Sequence, residues 1–423
     1  MRLGVSTIAI GLAIAAPASA QDAIIHAGSV ITDPDAAPRG PSTITITDGR
    51  ITGIADGHTV PAAGTEAIDL SDKTVMPGLI DLHTHLSGDP SGEFWREAVE
   101  PIEWASLVAA KNARVTAKAG FTTVRDVGSR SDQVTQALRR ATAEGMLPGP
   151  RIVTSGRSIS IVGGHADTNG FRRAVTEALG TSYACTGAVE CAEMVRTASK
   201  YGADLIKITA TGGVLSQQGR GLEAHFSDAE MKAIVDTANS LGLKVAAHAH
   251  GARGIEAAAR AGVHTIEHGT YLDKAAADAM KRSGTILIPT LMAFEGIKKN
   301  LGTGFYTPVV ENKIRQVSEY AGNLVTRAQQ YGVPVAFGTD AGVYPHGENA
   351  GEFALMVAQG VSPKAALASA TTVAARVIGM ENEIGRIAPG YSADIIAFDG
   401  NPLDDVTVLE DIDFTMVRGR VID

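Results

Sequence analysis

The chain has 423 residues, of which 44% are hydrophobic and 20% are charged. This length is sufficient for one large buried core with a smaller structural unit beside it. The formal net charge is −9, aromatic residues make up only 5%, and no segment is rich in lysine and arginine. This balance excludes the basic, base-stacking surface of a nucleic-acid-binding protein and favours a small partner that is neutral or partly cationic.

The first twenty residues have the features of a secretory signal peptide. Arg2 provides a short positive region, the run LGVSTIAIGLAIAAP is apolar but short for a bilayer span, and ASA before Gln21 fits a signal-peptidase site. We therefore assign residues 1–20 as a signal peptide. We expect an exported protein, periplasmic or secreted, with no membrane contact after removal of this segment. An uncleaved N-terminal anchor is the alternative interpretation.

Both ends of the mature chain have the character of small β structures. Residues 21–75 alternate short apolar strands with turn residues, and Asp48-Gly49 is a hairpin signal. Residues 381–423 again contain short β runs interrupted by glycine, proline and aspartate. We expect these two segments to pair in one small β-sandwich domain.

Residues 76–380 contain apolar runs of strand length, with helical segments such as PIEWASLVAAKNARVTAKAG between them. The eight runs, in chain order, are TVMPGLIDLH, FTTVRDVG, RIVTSGRSI, ADLIKITATGG, LKVAAHAHG, HTIEHGT, TILIPTL and VPVAFGTDAG. Near-continuous apolar strands are typical of parallel sheets that helices cover on both faces. The predicted fold is therefore α/β, with a (β/α)8 TIM barrel over residues 76–380. An open doubly wound sheet is the alternative. It is disfavoured because no Gly-x-Gly-x-x-Gly turn follows the first strand, and because polar residues end many strands instead of one switch point.

Two histidines end the first predicted barrel strand, in the stretch GLIDLHTHLSG. Side chains at positions i and i+2 of a strand project from the same face, so His83 and His85 enter the same space. Neutral imidazole is a common zinc ligand, and two on one strand are pre-organised for a metal. Two satisfied polar residues at the mouth of a strand are the alternative, because a lone His-x-His motif has low specificity.

The chain contains two cysteines, Cys185 and Cys191. Their spacing allows a small local disulfide loop in an oxidising compartment. Two free buried thiols are the alternative, and the sequence leaves both open. No Cys-x-x-Cys pair is present, which argues against zinc bound by thiolates.

Four further polar residues fall in or at the end of later apolar runs. Lys207 lies within DLIKITATGG, where a charged amine is costly unless it is paired or modified, and His248, His268 and Asp340 each end a run. TIM barrels place catalytic groups at the carboxyl ends of their strands, so we expect these residues to converge. Each has a structural alternative by itself: a snorkelling lysine, core histidines bonded to the backbone, and a turn or N-cap aspartate.

These motifs, in this order, resemble the amidohydrolase superfamily. DLHTH, LIKITATGG, AAHAHG, IEHG and GTDAG match its His-x-His on strand 1, lysine on strand 4, histidines on strands 5 and 6, and aspartate on strand 8. The resemblance covers essentially the whole mature chain, including the C-terminal return GRIAPGYSADIIAFD. Stretches such as AGVHTIEHGTYLD look like the bacterial Xaa-Pro dipeptidase and carboxypeptidase group, which resembles imidazolonepropionase and includes ochratoxin-hydrolysing amidohydrolases.

The resemblance implies the binuclear subtype, in which CO2 carboxylates Lys207 and the carbamate bridges two divalent metal ions, usually Zn²⁺. His83, His85 and Asp340 would hold one metal, and His248 with His268 the other. A carbamate would also convert a buried cation into an anionic ligand. His250 shares a strand face with His248 and is an alternative to it, although the family pattern places His250 nearer the substrate.

The activity that the resemblance implies is amide hydrolysis by a hydroxide bridging the two metals. Asp340 would accept the proton of the attacking water and deliver it to the leaving nitrogen. His165, in the loop after the third strand, is a candidate to bond the oxyanion or the substrate carboxylate, and a solvent-facing loop histidine is the alternative. The expected substrates are N-acyl amino acids or dipeptides, including ochratoxin-type amides. The resemblance also implies a homo-oligomer, for which an octamer is one form.

Two rival functions stay open at this point. A hydrolase of a lactam, carbamate or phosphotriester would use the same metals and would differ in the loops after strands 3, 4 and 7. A non-catalytic binding protein on a barrel scaffold would contain no zinc. A substrate panel separates the first rival from an amide hydrolase, and metal analysis separates the second.

Overall fold

The computed structural model describes residues 22–180, 183–217 and 221–423. The predicted signal peptide, residues 1–20, lies outside the described residues. Within the described part of the chain, no helix is both long enough and apolar enough to cross a membrane.

Strands and helices alternate through the central part of the chain, as in α/β proteins. The strands are β1 (Ala23–Val30), β2 (Ser42–Thr47), β3 (Arg50–Asp56), β4 (Glu66–Pro77), β5 (Leu79–Thr84), β6 (Phe121–Asp126), β7 (Arg151–Thr154), β8 (Ile159–Ile161), β9 (Tyr183–Cys185), β10 (Ile206–Thr209), β11 (Val245–Ala249), β12 (Thr265–His268), β13 (Ile286–Ile288), β14 (Ile395–Phe398), β15 (Phe414–Val417) and β16 (Arg420–Val421). The α-helices are α1 (Ile102–Lys118), α2 (Asp132–Ala143), α3 (Arg173–Leu179), α4 (Ala188–Lys200), α5 (Asp228–Ser240), α6 (Ala252–Ala261), α7 (Lys274–Ser283), α8 (Leu291–Lys298), α9 (Pro308–Ala321), α10 (Leu324–Tyr331), α11 (Gly351–Ala358), α12 (Pro363–Ser369) and α13 (Thr372–Val377). Two short 3-10 helices span Phe94–Ala98 and Val406–Glu410.

The two ends of the chain pair in one seven-stranded sheet of order β16-β15-β14-β4-β1-β2-β3. The antiparallel pairing of β4 with β14 joins them, with Thr74 opposite Phe398. The predicted hairpin at Asp48-Gly49 is present, and both residues have positive φ, 50° and 73°, as a type I′ turn requires. Apolar residues from both ends share one buried cluster, which includes Ile25, Ile44, Val75, Ile395 and Met416. A second layer against this sheet, the other half of the predicted sandwich, stays a prediction.

The central strands form two parallel sheets, one of order β5-β6-β7 and one of order β13-β12-β11-β10-β8-β9. The third predicted barrel strand, over RIVTSGRSI, is divided into β7 and β8. Gly156 interrupts it with a φ of 63°, and a Cβ atom there would lie only 2.2 Å from Oδ1 of Asp132. A side chain is therefore excluded where the strand breaks.

Backbone hydrogen bonds join the two parallel sheets on both sides. On one side, N–H of Asp204 donates to the carbonyl of Thr154 at 2.8 Å. On the other, residues 333–341 lie between β13 and β5, with N–H of Leu287 donating to Pro334 at 2.9 Å and N–H of Asp340 donating to His83 at 2.8 Å. This segment is the eighth predicted strand, although it is bonded through isolated bridges instead of a continuous ladder. Closure of these sheets into one barrel stays a prediction.

Cys185 and Cys191 form a disulfide, so they are not the two free thiols of the alternative interpretation. The bond connects the end of β9 to the first turn of α4. The disulfide therefore ties β9, which follows α3 in the chain, to the start of α4.

Candidate metal centre

His83 and His85 leave β5 on one face, and Asp340 meets them from the eighth predicted strand. Nε2 of His83 lies 3.4 Å, and Nε2 of His85 lies 3.2 Å, from Oδ1 of Asp340. The Nδ1 atoms are engaged elsewhere, His83 with Oε2 of Glu267 at 2.8 Å and His85 with the carbonyl of Gly128 at 2.9 Å. Because these oxygens accept, Nδ1 carries the hydrogen in a neutral ring and Nε2 presents a lone pair. Three electron-pair donors thus face one another, as around a metal cation.

A second group of three histidines, His248, His250 and His268, lies beside the first. One ligand atom of each ring lies within 4.8 Å of the others. Nε2 of His248 donates to the carbonyl of Gly212 at 3.2 Å, which leaves its Nδ1 as the lone-pair atom. The structure brings His250 into the same cluster, with its ring 4.6 Å from that of His248 and 4.9 Å from that of His268. The choice between His248 and His250 as the ligand from this strand therefore stays open.

Lys207 lies on β10, and it lines the same cavity as both histidine groups. Its side chain is 3% exposed, and among the described residues its amine has no hydrogen-bond or ion-pair partner. Burial lowers the pKa of the amine to about 8, against the opposing charge of Glu267. At neutral pH, a larger fraction of this side chain is therefore in the neutral amine form than for an ordinary lysine.

A buried ion pair behind His83 was not predicted from the sequence. Oε1 of Glu267 accepts from Nη2 of Arg125 at 2.8 Å and from the hydroxyl of Thr265. Burial alone would raise the pKa of Glu267, but the Arg125 guanidinium outweighs it and the pKa falls to about 2. The ionised carboxylate holds the His83 ring in one tautomer and orientation. The sequence did contain a signal for this pair, because Arg125 and Glu267 are charged residues inside the apolar strands β6 and β12.

Asp81, also unpredicted, joins β5 to the segment that carries Asp340. Its carboxylate accepts from the backbone N–H of Thr339 at 3.1 Å, from the Thr339 hydroxyl at 2.6 Å and from Nδ2 of Asn349 at 2.8 Å. It also accepts from the backbone N–H of His83 at 3.0 Å. Four donors converge on one carboxylate. These bonds fix the position of His83 relative to the segment that carries Asp340.

Three residues of the site have left-handed backbone conformations that side chains rarely adopt. The φ angles are 71° for His268, 64° for Asp340 and 50° for Thr290, whose hydroxyl meets Nδ1 of His268 at 2.7 Å. Such conformations cost about 1–3 kcal/mol each and cluster at functional sites. The surrounding packing therefore overrides local preference to orient these side chains.

Burial keeps most of these imidazoles neutral. It lowers the pKa of His83 to about 4 and of His250 to about 3, and it holds the pKa of His248 and His268 well below the usual value. His85 is the exception: burial lowers its pKa, but the adjacent carboxylate of Asp340 outweighs this and raises it. Neutral imidazole is the form that binds metals.

His165 lies against the second cluster, with its ring centroid 4.3 Å from that of His248. The solvent-facing alternative therefore does not describe it. Its Nδ1 meets the hydroxyl of Ser216 at 2.5 Å, and a Cβ atom on Gly213 would lie 2.1 Å from its ring. Nζ of Lys313, which is 4% exposed, donates to the carbonyls of Gly213 at 2.8 Å and Ser216 at 2.7 Å. A buried lysine thus anchors the loop that holds this histidine.

The sequence-predicted site residues all line one cavity of about 250 Å³: His83, His85, His165, Lys207, His248, His250, His268 and Asp340. A parallel α/β fold with such a site at its strand ends defines a class of protein, the metal-dependent hydrolases.

The chain belongs to the amidohydrolase family, whose sequence profile matches residues 74–422. A Xaa-Pro dipeptidase solved with methionine in its active site is 38% identical, with a TM-score of 0.87 over 95% of this chain and 99% of its own. Ochratoxinase from Aspergillus niger is 29% identical over 95% of this chain and 86% of its own, and its crystal structure gives a TM-score of 0.82. Imidazolonepropionase from Ruegeria sp. is 27% identical over 80% and 81% of the two chains.

The resemblance seen in the sequence is thus confirmed. The protein is an enzyme of the amide-hydrolysing kind, in a family that generally binds divalent metals, and its structural neighbours imply a TIM barrel.

Proposed function

We propose that the protein is a binuclear zinc enzyme that hydrolyses N-acyl amino acids or dipeptides. The observation that carries the proposal is Oδ1 of Asp340, which is buried without a hydrogen-bond donor of good geometry among the described residues. It faces the lone pairs of His83 and His85 within 3.4 Å. Such a group of buried acceptors is costly unless a cation lies among them. Imidazole nitrogens with a carboxylate oxygen are a donor set that fits Zn²⁺.

Two metal ions would use six of the seven candidate ligands, with His248 and His250 as alternatives. His83, His85 and Asp340 would hold one ion, and His268 with either His248 or His250 would hold the other. Lys207, as a carbamate, would be a ligand of both. The neutral amine of Lys207 would form a bond from its nitrogen to the carbon of CO2 and lose one proton to solvent, which gives a carbamate anion with two oxygens. The burial of the Lys207 amine without a partner supports this modification. A protonated amine would place a positive charge against the metals, whereas the carbamate would not.

The bound metals would supply a water of lowered pKa and would polarise the amide carbonyl. Asp340 accepts the proton of the attacking water and returns it to the leaving nitrogen. His165, held by Ser216, bonds the carbonyl oxygen or the substrate carboxylate. The buried cavity excludes bulk water and so strengthens these interactions.

The substrate class follows from the relatives. A Xaa-Pro dipeptidase and ochratoxinase are both similar to this chain along most of its length, and their names support an amide or dipeptide substrate. Ochratoxin-type amides belong to the set to be assayed. Lactams, carbamates and phosphotriesters are the rival substrates of the same centre.

The larger organisation is part of the same proposal. We propose that residues 76–380 close as an eight-stranded barrel, which the hydrogen bonds between the two parallel sheets support. Residues 21–75 and 381–423 would form one β-sandwich, and the pairing of their strands in one sheet supports a shared domain. The disulfide supports export after removal of residues 1–20. The partners are a small amide substrate and further copies of this chain, in a homo-oligomer such as an octamer, with no nucleic acid or membrane.

A substrate panel on zinc-loaded protein tests this function. We expect hydrolysis of N-acyl amino acids and dipeptides, with lactones, lactams, carbamates and phosphotriesters turned over far more slowly. Faster hydrolysis of a lactam or phosphotriester would assign the centre to the rival class. Saturable binding of the amides without any turnover would identify a binding protein.

A further inference from the structure

Helix α1 has its large apolar side chains on the outside. Its buried face consists mainly of small residues: Ala105, Ala109, Ala113 and Ala117. The outward face carries bulky ones instead, with Trp104 51% and Leu107 63% exposed. A surface helix usually turns its large apolar side chains to the core and its charged ones to water. The outward face of α1 therefore has the composition of a face that another apolar surface covers.

This apolar character extends beyond one turn of the helix. Six of the fifteen large hydrophobic side chains that are exposed among the described residues fall within residues 95–115. We call them the α1 patch: Trp95, Val99, Ile102, Trp104, Leu107 and Val115. The patch contains both tryptophans of the chain. Apolar surface concentrated in this way marks an interaction site.

The exposed charges of α1 are divided between its two halves. Glu103 lies in the first turn, whereas Lys111, Arg114 and Lys118 lie in the second half. Glu103 and Lys118, at the two ends, form no ion pair with any described residue. A second α1 that runs antiparallel to the first places the acidic end of each helix beside the basic end of the other, and the two helix dipoles are then opposed. The charge pattern of α1 is thus complementary to that of its own copy.

A membrane surface is the other apolar partner that such a patch could contact. The chain has a net charge of −9, which opposes binding to an anionic bilayer. The extent of the surface also fits a protein partner. Fifteen described residues between positions 93 and 118 are exposed, compared with ~20–30 on each side of a stable interface, so the segment supplies most of one side.

We propose that the α1 patch is an isologous interface between two copies of this chain, in which the two α1 helices pack antiparallel across a two-fold axis. This inference rests on the homo-oligomer included in the proposed function and deepens it by assigning one contact. With the helices crossing at their midpoints, Trp104 lies near Val115 of the partner subunit, and Glu103 lies near Lys118 of the partner subunit.

Two variants of the zinc-loaded protein test the apolar contact without altering either tryptophan. Leu107→Glu and Val115→Glu should each weaken self-association ~30-fold or more, because each would bury an unpaired carboxylate, and should lower the particle mass in sedimentation velocity. In the same samples the emission of Trp95 and Trp104 should shift to longer wavelength as both rings become exposed to water. Val189→Glu, at an exposed position of α4, is the matched control and should change neither readout. Far-UV circular dichroism confirms that each variant is folded.

Charge reversal tests the antiparallel direction. Glu103→Lys or Lys118→Glu alone places like charges together at both ends of the contact and should weaken self-association ~2–5-fold in a dilution series. The double variant restores opposite charges and should recover the affinity of the parent protein. Additive losses in the double variant would overturn the antiparallel arrangement.

The outcomes separate this interface from the homo-oligomer and from the hydrolase. An oligomeric parent whose mass and emission are unchanged by Leu107→Glu and Val115→Glu would overturn the interface and leave the homo-oligomer standing. A monomeric parent would overturn both, and binding of that monomer to phosphatidylglycerol vesicles would assign the patch to a lipid surface. Amide hydrolysis is measured separately by the substrate panel, so its failure is distinguishable from either result.

Discussion

Single atoms decide what this site can do. Oδ1 of Asp340 and the amine of Lys207 lack hydrogen-bond partners among the described residues, whereas the rings of His83, His85 and His248 each have one nitrogen engaged. An engaged nitrogen fixes the tautomer, so the other presents a lone pair to the cavity. Asp340 and Lys207 are therefore the most informative residues to change.

Asp340→Asn should separate chemistry from binding. The amide keeps the size of the side chain and one oxygen, but it cannot accept the proton of the attacking water. We expect kcat to fall by ~10²–10⁴-fold, the usual worth of general acid–base catalysis, with KM little changed. Steady-state kinetics with metal analysis of the same sample tests this. A change confined to KM would mean that Asp340 only positions the substrate.

Lys207→Ala should remove metal and activity together, because the proposed carbamate would contribute oxygens to both ions. We expect kcat/KM to fall by more than the ~10–100-fold that loss of an outer-shell partner of a metal usually costs, and bound zinc to fall in parallel. Lys200→Ala, at the exposed end of α4, is the matched control and should retain both. If Lys207→Ala kept two metals and normal turnover, Lys207 would be a structural residue.

Ser216→Ala should reduce activity through His165. Loss of the hydrogen bond to Nδ1 of His165 should lower kcat/KM by ~5–10-fold, equivalent to about 1 kcal/mol, with metal content unchanged. In a His165→Ala background the same substitution should have no further effect, because it acts through that ring. Additive losses in the double variant would show that Ser216 acts independently of His165.

The residues that sequence reasoning identified share one property. His83, His85, Lys207 and Asp340 are polar at places where a strand pattern expects apolar side chains, so the conflict is visible locally. The pairing of Arg125 with Glu267 joins β6 to β12, and that of Lys313 with the Ser216 loop joins α9 to β10. Such partners depend on the register of distant elements, which no local pattern contains.

At the scale of secondary-structure elements, sequence patterns correctly predict the features whose geometry depends on one segment alone. The Asp48-Gly49 hairpin and the strands β10, β11 and β12 agree with the sequence pattern, because turn chemistry and apolar runs are local properties. The eighth predicted strand lacks a continuous ladder on either side. There, Gly338 packs so closely that a Cβ atom would lie 2.4 Å from the Ile288 side chain, a contact that only the fold creates.

The contact between α11 and the start of α8, which Glu352 makes, can be tested through its pH dependence. The carboxylate of Glu352, on α11, accepts hydrogen bonds from the backbone N–H groups of Leu291 at 2.9 Å and Met292 at 2.7 Å, at the start of α8. Burial raises the pKa of Glu352 from 4.5 to about 8. Between these values the folded protein keeps a proton that the unfolded chain releases, so the stabilising contribution is complete below pH 4.5 and is lost as the pH rises toward 8.

Glu352→Gln removes this titration with little change in shape. We expect the free energy of unfolding of the parent protein, relative to the variant, to decrease steadily between about pH 4.5 and about pH 8. Urea unfolding of both proteins across this range measures the difference. Parallel pH profiles would mean that Glu352 has the same proton affinity in the folded and unfolded chains.

At the scale of the whole molecule, the group of His83, His85 and Asp340 depends on elements that are far apart in sequence. His83 lies in β5 and His85 directly follows it, whereas the eighth predicted strand contributes Asp340 more than 250 residues later. The bonds from Thr339 and Asn349 to Asp81 span the same distance in sequence. A metal that binds only the folded site therefore stabilises the connection between both ends of the barrel region.

The most direct test of the account is the number of metal ions per chain. The six proposed ligand groups, with His248 and His250 counted as alternatives, are more than the three or four that a single tetrahedral zinc would use. Protein purified with zinc and bicarbonate should therefore contain about two divalent ions per chain by elemental analysis. Removal of both with a chelator should abolish hydrolysis, and zinc should restore it. A content of one ion or none, in protein that is folded and fully active, would contradict the binuclear centre.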